Sequence, residues 1–172
     1  GCAAMYRRAM LDEIGGFADP FFLYCEDTDL GLRARWRAWE CRYVPDAVVE
    51  HRYSESAGKA SALKAYYVER NRILTVLRNF PLRMLLLSFC HTGARYWWHW
   101  RMRSLGQGAA ASYAGSESLA SIAFRAWSDA FAQLPTAWKE RKQIQGKARL
   151  SPKQFERLLS GFRISAKQVA SQ

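Results

Sequence analysis

The sequence predicts an α/β fold over residues 1–80, followed by a mostly α-helical region over residues 81–172. Two observations predict this division. In the front part, short helix-compatible runs alternate with β-branched, extended pieces at 42–44 and 47–49, which are typical of strands. From residue 60 onward, apolar residues instead recur at the spacing of helices.

The front part contains three predicted elements before its first strand. A short helix over 3–14 ends at Gly15-Gly16, because paired glycines favour a turn. A loop over 17–24 carries several aromatic side chains. Thr28 is a favoured N-cap residue, so we expect the next helix to run from about residue 29 to residue 39.

Length and composition indicate a folded protein whose two parts differ in charge. The chain has 172 residues, of which 49% are hydrophobic and 14% aromatic, and this excludes a disordered chain. The net charge is +11, and it is uneven. Residues 1–50 carry six Lys/Arg and nine Asp/Glu, whereas residues 51–172 carry twenty and six. A basic rear part suits nucleic acid, an anionic membrane surface or acidic ligands.

The cysteines are scattered along the chain and form no CxxC pair. In a chain of this size, such spacing is typical of buried, reduced thiols and not of a disulfide framework. This favours a reducing compartment. The cysteines are Cys2, Cys25, Cys41 and Cys90.

A helix rich in apolar and aromatic residues is predicted over 83–103. A membrane-spanning helix needs about 20 predominantly apolar residues, and the uncharged run between Arg83 and Arg95 is shorter than that. Trp and Tyr prefer the depth of the lipid headgroups, and Arg lies at the edges of the run. We therefore expect an amphipathic helix in the membrane interface, with His91 and His99 facing headgroups or solvent.

The rest of the rear part is predicted to be helical and basic. Amphipathic helices are expected over 119–133 and 152–159, with a basic stretch after Pro135 and a loose tail beyond Phe162. We therefore interpret residues 81–172 as a membrane-associating region.

A cluster of carboxylates marks the candidate functional site. Glu26, Asp27 and Asp29 fall within four residues at a predicted loop-to-helix junction. One explanation is a capped helix with an Asp29–Arg33 pair at i,i+4 spacing. The other is a catalytic carboxylate, because an inverting sugar transferase needs a base that takes the proton from the acceptor hydroxyl. The residue pattern alone leaves both explanations open.

Residues 1–80 carry a series of short motifs in a defined order. They are Gly15-Gly16-Phe17, Phe21-Phe22-Leu23-Tyr24, Glu26-Asp27-Thr28-Asp29-Leu30 with Arg33, Tyr43-Val44-Pro45-Asp46-Ala47, His51, and Arg70-Asn71. Together they resemble the second half of the catalytic domain of family 2 glycosyltransferases, especially bacterial rhamnosyltransferase-like members.

This resemblance implies that residues 1–80 are the carboxy-terminal, acceptor-side half of a GT-A catalytic domain, in which helices flank a mixed sheet. Asp27 would then be the catalytic base, and Glu26 would shape the acceptor pocket. Asp29 and Arg33 would hold the helix in place.

The resemblance also implies a divalent metal, Mg²⁺ or Mn²⁺, at the donor diphosphate. His51 would be one ligand, although a lone histidine after a strand is also compatible with a structural role. Arg70 and Asn71 either reach the donor diphosphate or anchor a helix. The family's nucleotide-binding part and its metal-binding Asp-x-Asp motif would precede residue 1, so we expect an incomplete enzyme that does not turn over alone.

The function implied by the resemblance is the transfer of a sugar, with rhamnose as one candidate, from a nucleotide-diphosphate donor with inversion. The acceptor would be a glycan or a lipid-linked sugar in cell-envelope polysaccharide synthesis. The protein would lie in the cytoplasm, peripherally on the inner face of the bacterial cytoplasmic membrane.

Two other functions are compatible with parts of the sequence. One is a non-catalytic, membrane-surface binding module derived from such an enzyme. The other is nucleic-acid binding, since base-stacking surfaces also interleave aromatic rings with Arg. However, Trp97, Trp98 and Trp100 follow a Leu-rich run, which suits lipid better than bases. We therefore expect no nucleic-acid partner.

Overall fold

The computed structural model describes residues 3–50, 61–108, 110–111, 113 and 115–171. The regular secondary structure of these residues consists of eight α-helices. In chain order they are α1 (Arg8–Ile14), α2 (Glu26–Trp36), α3 (Ala62–Asn79), α4 (Leu82–Ser104), α5 (Leu119–Ala132), α6 (Leu134–Gly146), α7 (Pro152–Ser160) and α8 (Ala166–Ala170).

The predicted α/β fold, and with it the GT-A fragment, is wrong for the part of the chain that the structure describes. The pieces predicted as strands at 42–44 and 47–49 form a loop with exposed side chains and no strand pairing. A strand is stable only when a neighbouring strand satisfies its backbone hydrogen bonds. No described segment pairs with these pieces, so β-branched composition alone does not make them strands.

Several helix boundaries also differ from the prediction. Helix α2 begins at Glu26, and its N-cap is Cys25, so Thr28 lies inside the first turn and is not the cap. Helix α6 occupies the basic stretch after Pro135, for which the sequence pattern predicts no helix. Helix α8 lies in the tail predicted to be loose, where Ser165 and Gln168 form a capping box that satisfies two backbone amides.

Helix α3 lies at the centre of the fold. It packs most extensively against α5 and α6, and it also contacts α2 and α4. Residues on both sides of position 80 therefore share one apolar core. The buried residues of that core are Phe21, Ile73, Leu74, Leu77, Leu85, Ala130 and Ala137.

A buried carboxylate joins α2 to α3. The Asp29 side chain is 0% exposed. Its oxygens accept hydrogen bonds from Arg33 Nε at 2.8 Å, Arg78 Nε at 2.9 Å and Asn79 Nδ2 at 2.8 Å. A buried charge is tolerated only when it is paired and hydrogen-bonded, and Asp29 meets both conditions.

The two arginines extend this connection to two more helices. Arg33 donates to the carbonyl oxygens of Ile14 and Gly16, both at 2.6 Å, and so satisfies carbonyls at the end of α1. Arg78 also pairs with Glu140 of α6. Together these side chains comprise two arginines, Arg33 and Arg78, and two carboxylates, Asp29 and Glu140, so their formal charges balance. We call this set the Asp29 cluster: Asp29, Arg33, Arg78, Asn79 and Glu140.

Trp36 connects the carboxy-terminal segment to the same centre. Its ring stacks on Phe155 of α7, with centroids 4.0 Å apart and planes at 8°. Its Nε1 donates to the Asn79 carbonyl oxygen at 2.8 Å, and its own carbonyl accepts from the Arg149 amide at 2.9 Å. Indole stacking and backbone capping therefore hold α7 against the end of α2.

A second buried carboxylate, Glu69, joins α3 to α4 and α5. It pairs with Arg72 at 2.9 Å and with Arg95, and it accepts hydrogen bonds from Tyr96 and from Trp127 Nε1. Burial raises the pKa of Glu69, but these partners outweigh it and lower the pKa to about 2. Glu69 is therefore a charged group at neutral pH that binds three helices together.

Helix α4 is long and only partly covered. It buries Leu85, Thr92 and Met102, packs against α8, and touches α3. None of the helices in the described residues is long and apolar enough to cross a membrane.

The Asp29 cluster leads to a stability prediction. Replacing Asp29 by Asn leaves Arg33 buried without a carboxylate partner and leaves Arg78 with Glu140 alone. Loss of one partner in such a set costs about 3–5 kcal/mol. Denaturant unfolding measures this loss. Asp12→Asn is the matched control, because its pair with Arg8 is exposed and should change stability by less than about 1 kcal/mol. Equal effects of the two variants would contradict the role assigned to Asp29.

The low pKa of Glu69 leads to a prediction about pH. Since the folded-state pKa is below its ordinary value of 4.5, the stabilisation by Glu69 is present above that value and is lost as pH falls toward 2. The stability difference between the natural protein and Glu69→Gln should therefore shrink by about 2 kcal/mol between pH 6 and pH 3. Unfolding curves at both pH values measure it. A difference that does not change with pH would refute the assignment.

Candidate functional site

The candidate site is a strained turn at the start of α2. We call Tyr24, Cys25, Glu26 and Asp27 the acidic turn. Tyr24 and Cys25 both have positive φ, 67° and 65°, which residues with a Cβ rarely adopt. Each such residue costs on the order of 1–3 kcal/mol, and such strain persists only where the surroundings impose it. Two in succession indicate that the turn is held in a specific shape.

Asn71 and Arg70 of α3 hold this turn from behind. The fully buried Asn71 donates from Nδ2 to the carbonyl oxygens of Leu23 at 2.7 Å and Tyr24 at 2.9 Å. Arg70 donates to the Pro20 carbonyl oxygen at 3.0 Å and to Asn71 Oδ1 at 2.8 Å. Both side chains therefore contact the loop that precedes α2, and their assignment to the donor diphosphate stays a prediction.

The carboxylates of the motif have different environments. Glu26 and Asp27 are half-buried in the first turn of α2, where the positive end of the helix dipole favours negative charge. Asp27 Oδ1 accepts the Thr28 backbone amide at 2.7 Å. Partial burial raises the pKa of Asp27, whereas hydrogen bonds from the Thr28 backbone amide and hydroxyl lower it. Asp29, by contrast, lies wholly inside the Asp29 cluster.

The sequence does not predict two further groups of the site, which are Cys25 within the acidic turn and Tyr6 near it. Burial, followed by the charges of Asp27 and Glu26, raises the pKa of the Cys25 thiol to about 11, so this thiol is protonated at neutral pH. Burial and then the negative charge of Asp27 raise the pKa of the Tyr6 phenol. Tyr6 therefore lies close enough to Asp27 to sense its charge, although no motif marks it in the sequence.

The predicted metal ligand His51 lies outside the described residues. Within the described ranges, no three His, Cys, Asp or Glu side chains form a group that could hold a metal ion. The acidic turn and its described neighbours therefore do not supply a metal centre by themselves.

Comparisons with known proteins support a relationship to sugar transfer. Over 69 residues, the chain is 39% identical to the N-acetylglucosaminyl-diphospho-decaprenol L-rhamnosyltransferases of Mycobacterium tuberculosis strains CDC 1551 / Oshkosh and ATCC 25618 / H37Rv. This chain is homologous in part to a glycosyltransferase. The match covers 39% of this chain and 22% of each relative, so the chain spans only about a fifth of their length. No family model and no solved structure matches the chain.

The contacts of Asn71 lead to a test of the turn. In Asn71→Leu, a side chain of similar size no longer donates to the Leu23 and Tyr24 carbonyls, and each buried group left without a partner costs about 1–3 kcal/mol. Amide hydrogen exchange at residues 26–29 should become faster than in the natural protein. The increase in exchange rate should be larger there than in α5. Uniform acceleration across both segments would mean that Asn71 stabilises the whole fold and not the acidic turn.

Proposed function

We propose that this chain supplies the acceptor-side part of an inverting glycosyltransferase of family 2, with Asp27 as its catalytic base. The proposal rests on the different environments of two carboxylates within one motif. Asp29 is buried and fully engaged by Arg33, Arg78 and Asn79, whereas Asp27 is half-buried beside it on a strained, anchored turn. Strain of this kind is concentrated at functional sites.

The chemistry assigned to Asp27 is proton abstraction. Its carboxylate takes the proton of the acceptor hydroxyl while the hydroxyl oxygen bonds to the anomeric carbon of the donor sugar. The bond from that carbon to the diphosphate breaks, and the nucleoside diphosphate leaves with the electron pair. Attack from the face opposite the leaving group inverts the anomeric centre. The hydrogen bonds from Thr28 favour the ionised form of Asp27, which is the form that accepts a proton.

The remaining members of the site have supporting roles in this proposal. Glu26, next to the base, lines the acceptor pocket. Asn71 and Arg70 position the turn through its backbone. A divalent metal would neutralise the departing diphosphate, with His51 as the one ligand proposed from this chain. The described residues do not themselves make such a centre, and no step above depends on it.

The substrate class is proposed from the relatives. They are named as rhamnosyltransferases acting on N-acetylglucosaminyl-diphospho-decaprenol, which is a lipid-linked sugar. We propose a lipid-linked or glycan acceptor in cell-envelope synthesis, with rhamnose as the first donor sugar to test.

The proposal predicts the effect of Asp27→Asn in the complete natural protein. Loss of the base should lower turnover by roughly 10²–10⁴-fold, while nucleotide-sugar binding and thermal stability stay close to those of the natural protein. Transfer is measured with a panel of nucleotide sugars and Mg²⁺ or Mn²⁺, and donor binding by calorimetry. Asp12→Asn, which changes an exposed carboxylate of α1, is the control.

Two outcomes would contradict the proposal. If Asp27→Asn keeps its rate, Asp27 is not the base. If the natural protein neither binds nor turns over any nucleotide sugar, the enzymatic function itself is wrong, and a non-catalytic binding module becomes the better account.

A further inference from the structure

Helix α4 carries an apolar stripe along one face. The stripe consists of Leu82, Leu86, Phe89, Trp97 and Trp100, and each of these side chains is exposed. Their spacing of three, four or eight residues places them on one side of a helix, with Gly93 in the gap. At about 1.5 Å per residue, the stripe runs along most of the helix.

The side of α4 that adjoins the stripe contacts the rest of the protein. Leu85, Thr92 and Met102 are buried there, and α8 packs against the helix. Arg95 and Tyr96 bind Glu69 of α3. These contacts attach the helix to the protein, while no described element covers the stripe.

The apolar surface continues onto α5. Phe89 of the stripe and Phe131 of α5 line the same groove between α3, α4 and α5. Both rings are about half exposed, at 49% and 44%. Contiguous apolar surface that is rimmed by polar groups marks an interaction site.

Positive charge surrounds this surface. Arg101 and Arg103 of α4 are exposed near one end of the stripe, and Arg83, which pairs with Glu156 at 2.8 Å, is exposed near the other. Residues 81–172 as a whole carry fourteen Lys/Arg and four Asp/Glu. Bulky apolar and Trp side chains beside a basic rim complement the interface of an anionic lipid bilayer.

We propose that the α4 stripe docks into the headgroup region of an anionic membrane, with the helix axis parallel to the surface. Trp97 and Trp100 insert at headgroup depth, and Arg101 and Arg103 contact lipid phosphates. The side of α4 that binds Glu69 faces the protein. Since α3 carries both Glu69 and the anchor residue Asn71, docking would hold the acidic turn at a defined position relative to the lipid. The proposal stands independently of sugar transfer.

The test is co-sedimentation of the complete protein with vesicles. We expect binding to vesicles that contain phosphatidylglycerol, weaker binding to pure phosphatidylcholine, and a decrease in affinity with added salt. The variant Leu86→Gln/Trp100→Gln removes two stripe residues that are 60% and 66% exposed, so it should fold normally. It should weaken binding by roughly tenfold or more.

The matched control is Leu87→Gln/Tyr43→Gln. It also removes one leucine and one aromatic ring, 53% and 88% exposed. Leu87 lies on the same helix but about 120° around it from the stripe, and Tyr43 lies in the loop that follows α2. This control should bind vesicles as the natural protein does.

Three results would overturn the proposal. The natural protein could fail to bind anionic vesicles. The stripe variant could bind as tightly as the control, which would place the lipid contact elsewhere. Alternatively, the protein could self-associate in light scattering without lipid and lose this association in the stripe variant, which would make the stripe an interface between copies of the chain.

Discussion

The buried carboxylate of Asp29 is the constraint on which the rest of this structure depends. It sits where α2 meets the end of α3, and its two arginine partners reach α1 and α6. A buried ion pair is not in itself a strong source of stability, because desolvation offsets much of the attraction. We infer that it contributes specificity, because an arrangement of these helices that separates Asp29 from Arg33 and Arg78 would leave buried charges without partners. Trp36 reinforces the same junction through Asn79 and Phe155.

That constraint also explains how one short acidic motif can serve two purposes. Asp27 and Asp29 are two residues apart on a helix, so their side chains point about 200° apart around the axis. One is directed into the Asp29 cluster, and the other is left half-exposed at the helix start. The buried carboxylate fixes the orientation of α2, and Asn71 fixes the backbone before it. The proposed base is therefore held from both sides.

The features that the sequence predicts correctly are those that depend on neighbouring residues. The apolar spacing of α3 and α4 and the glycine stop after α1 correspond to helices and a helix end in the structure. The motifs around Glu26 and Asp27 indicated a glycosyltransferase, which the partial similarity to rhamnosyltransferases supports.

The errors arose where distant residues decide the outcome. The β-branched loop pieces lack a partner strand in the described part of the chain. The polar composition of α6 does not predict a helix. In the structure, α6 is held by the Arg78–Glu140 ion pair and by a hydrogen bond from Arg141 to the Leu77 carbonyl oxygen. The left-handed Tyr24 and Cys25 depend on Asn71, more than 40 residues away. No local propensity contains this information.

The most direct test of the account is a double-mutant cycle between Asp29 and Arg78. The free energy of unfolding is measured for the natural protein, Asp29→Asn, Arg78→Gln and the double variant. If the cluster organises the fold, the double variant should be more stable than the sum of the single effects predicts, with a coupling energy of about 2 kcal/mol or more. Additive effects would show that the two side chains act independently and would contradict the central role of Asp29.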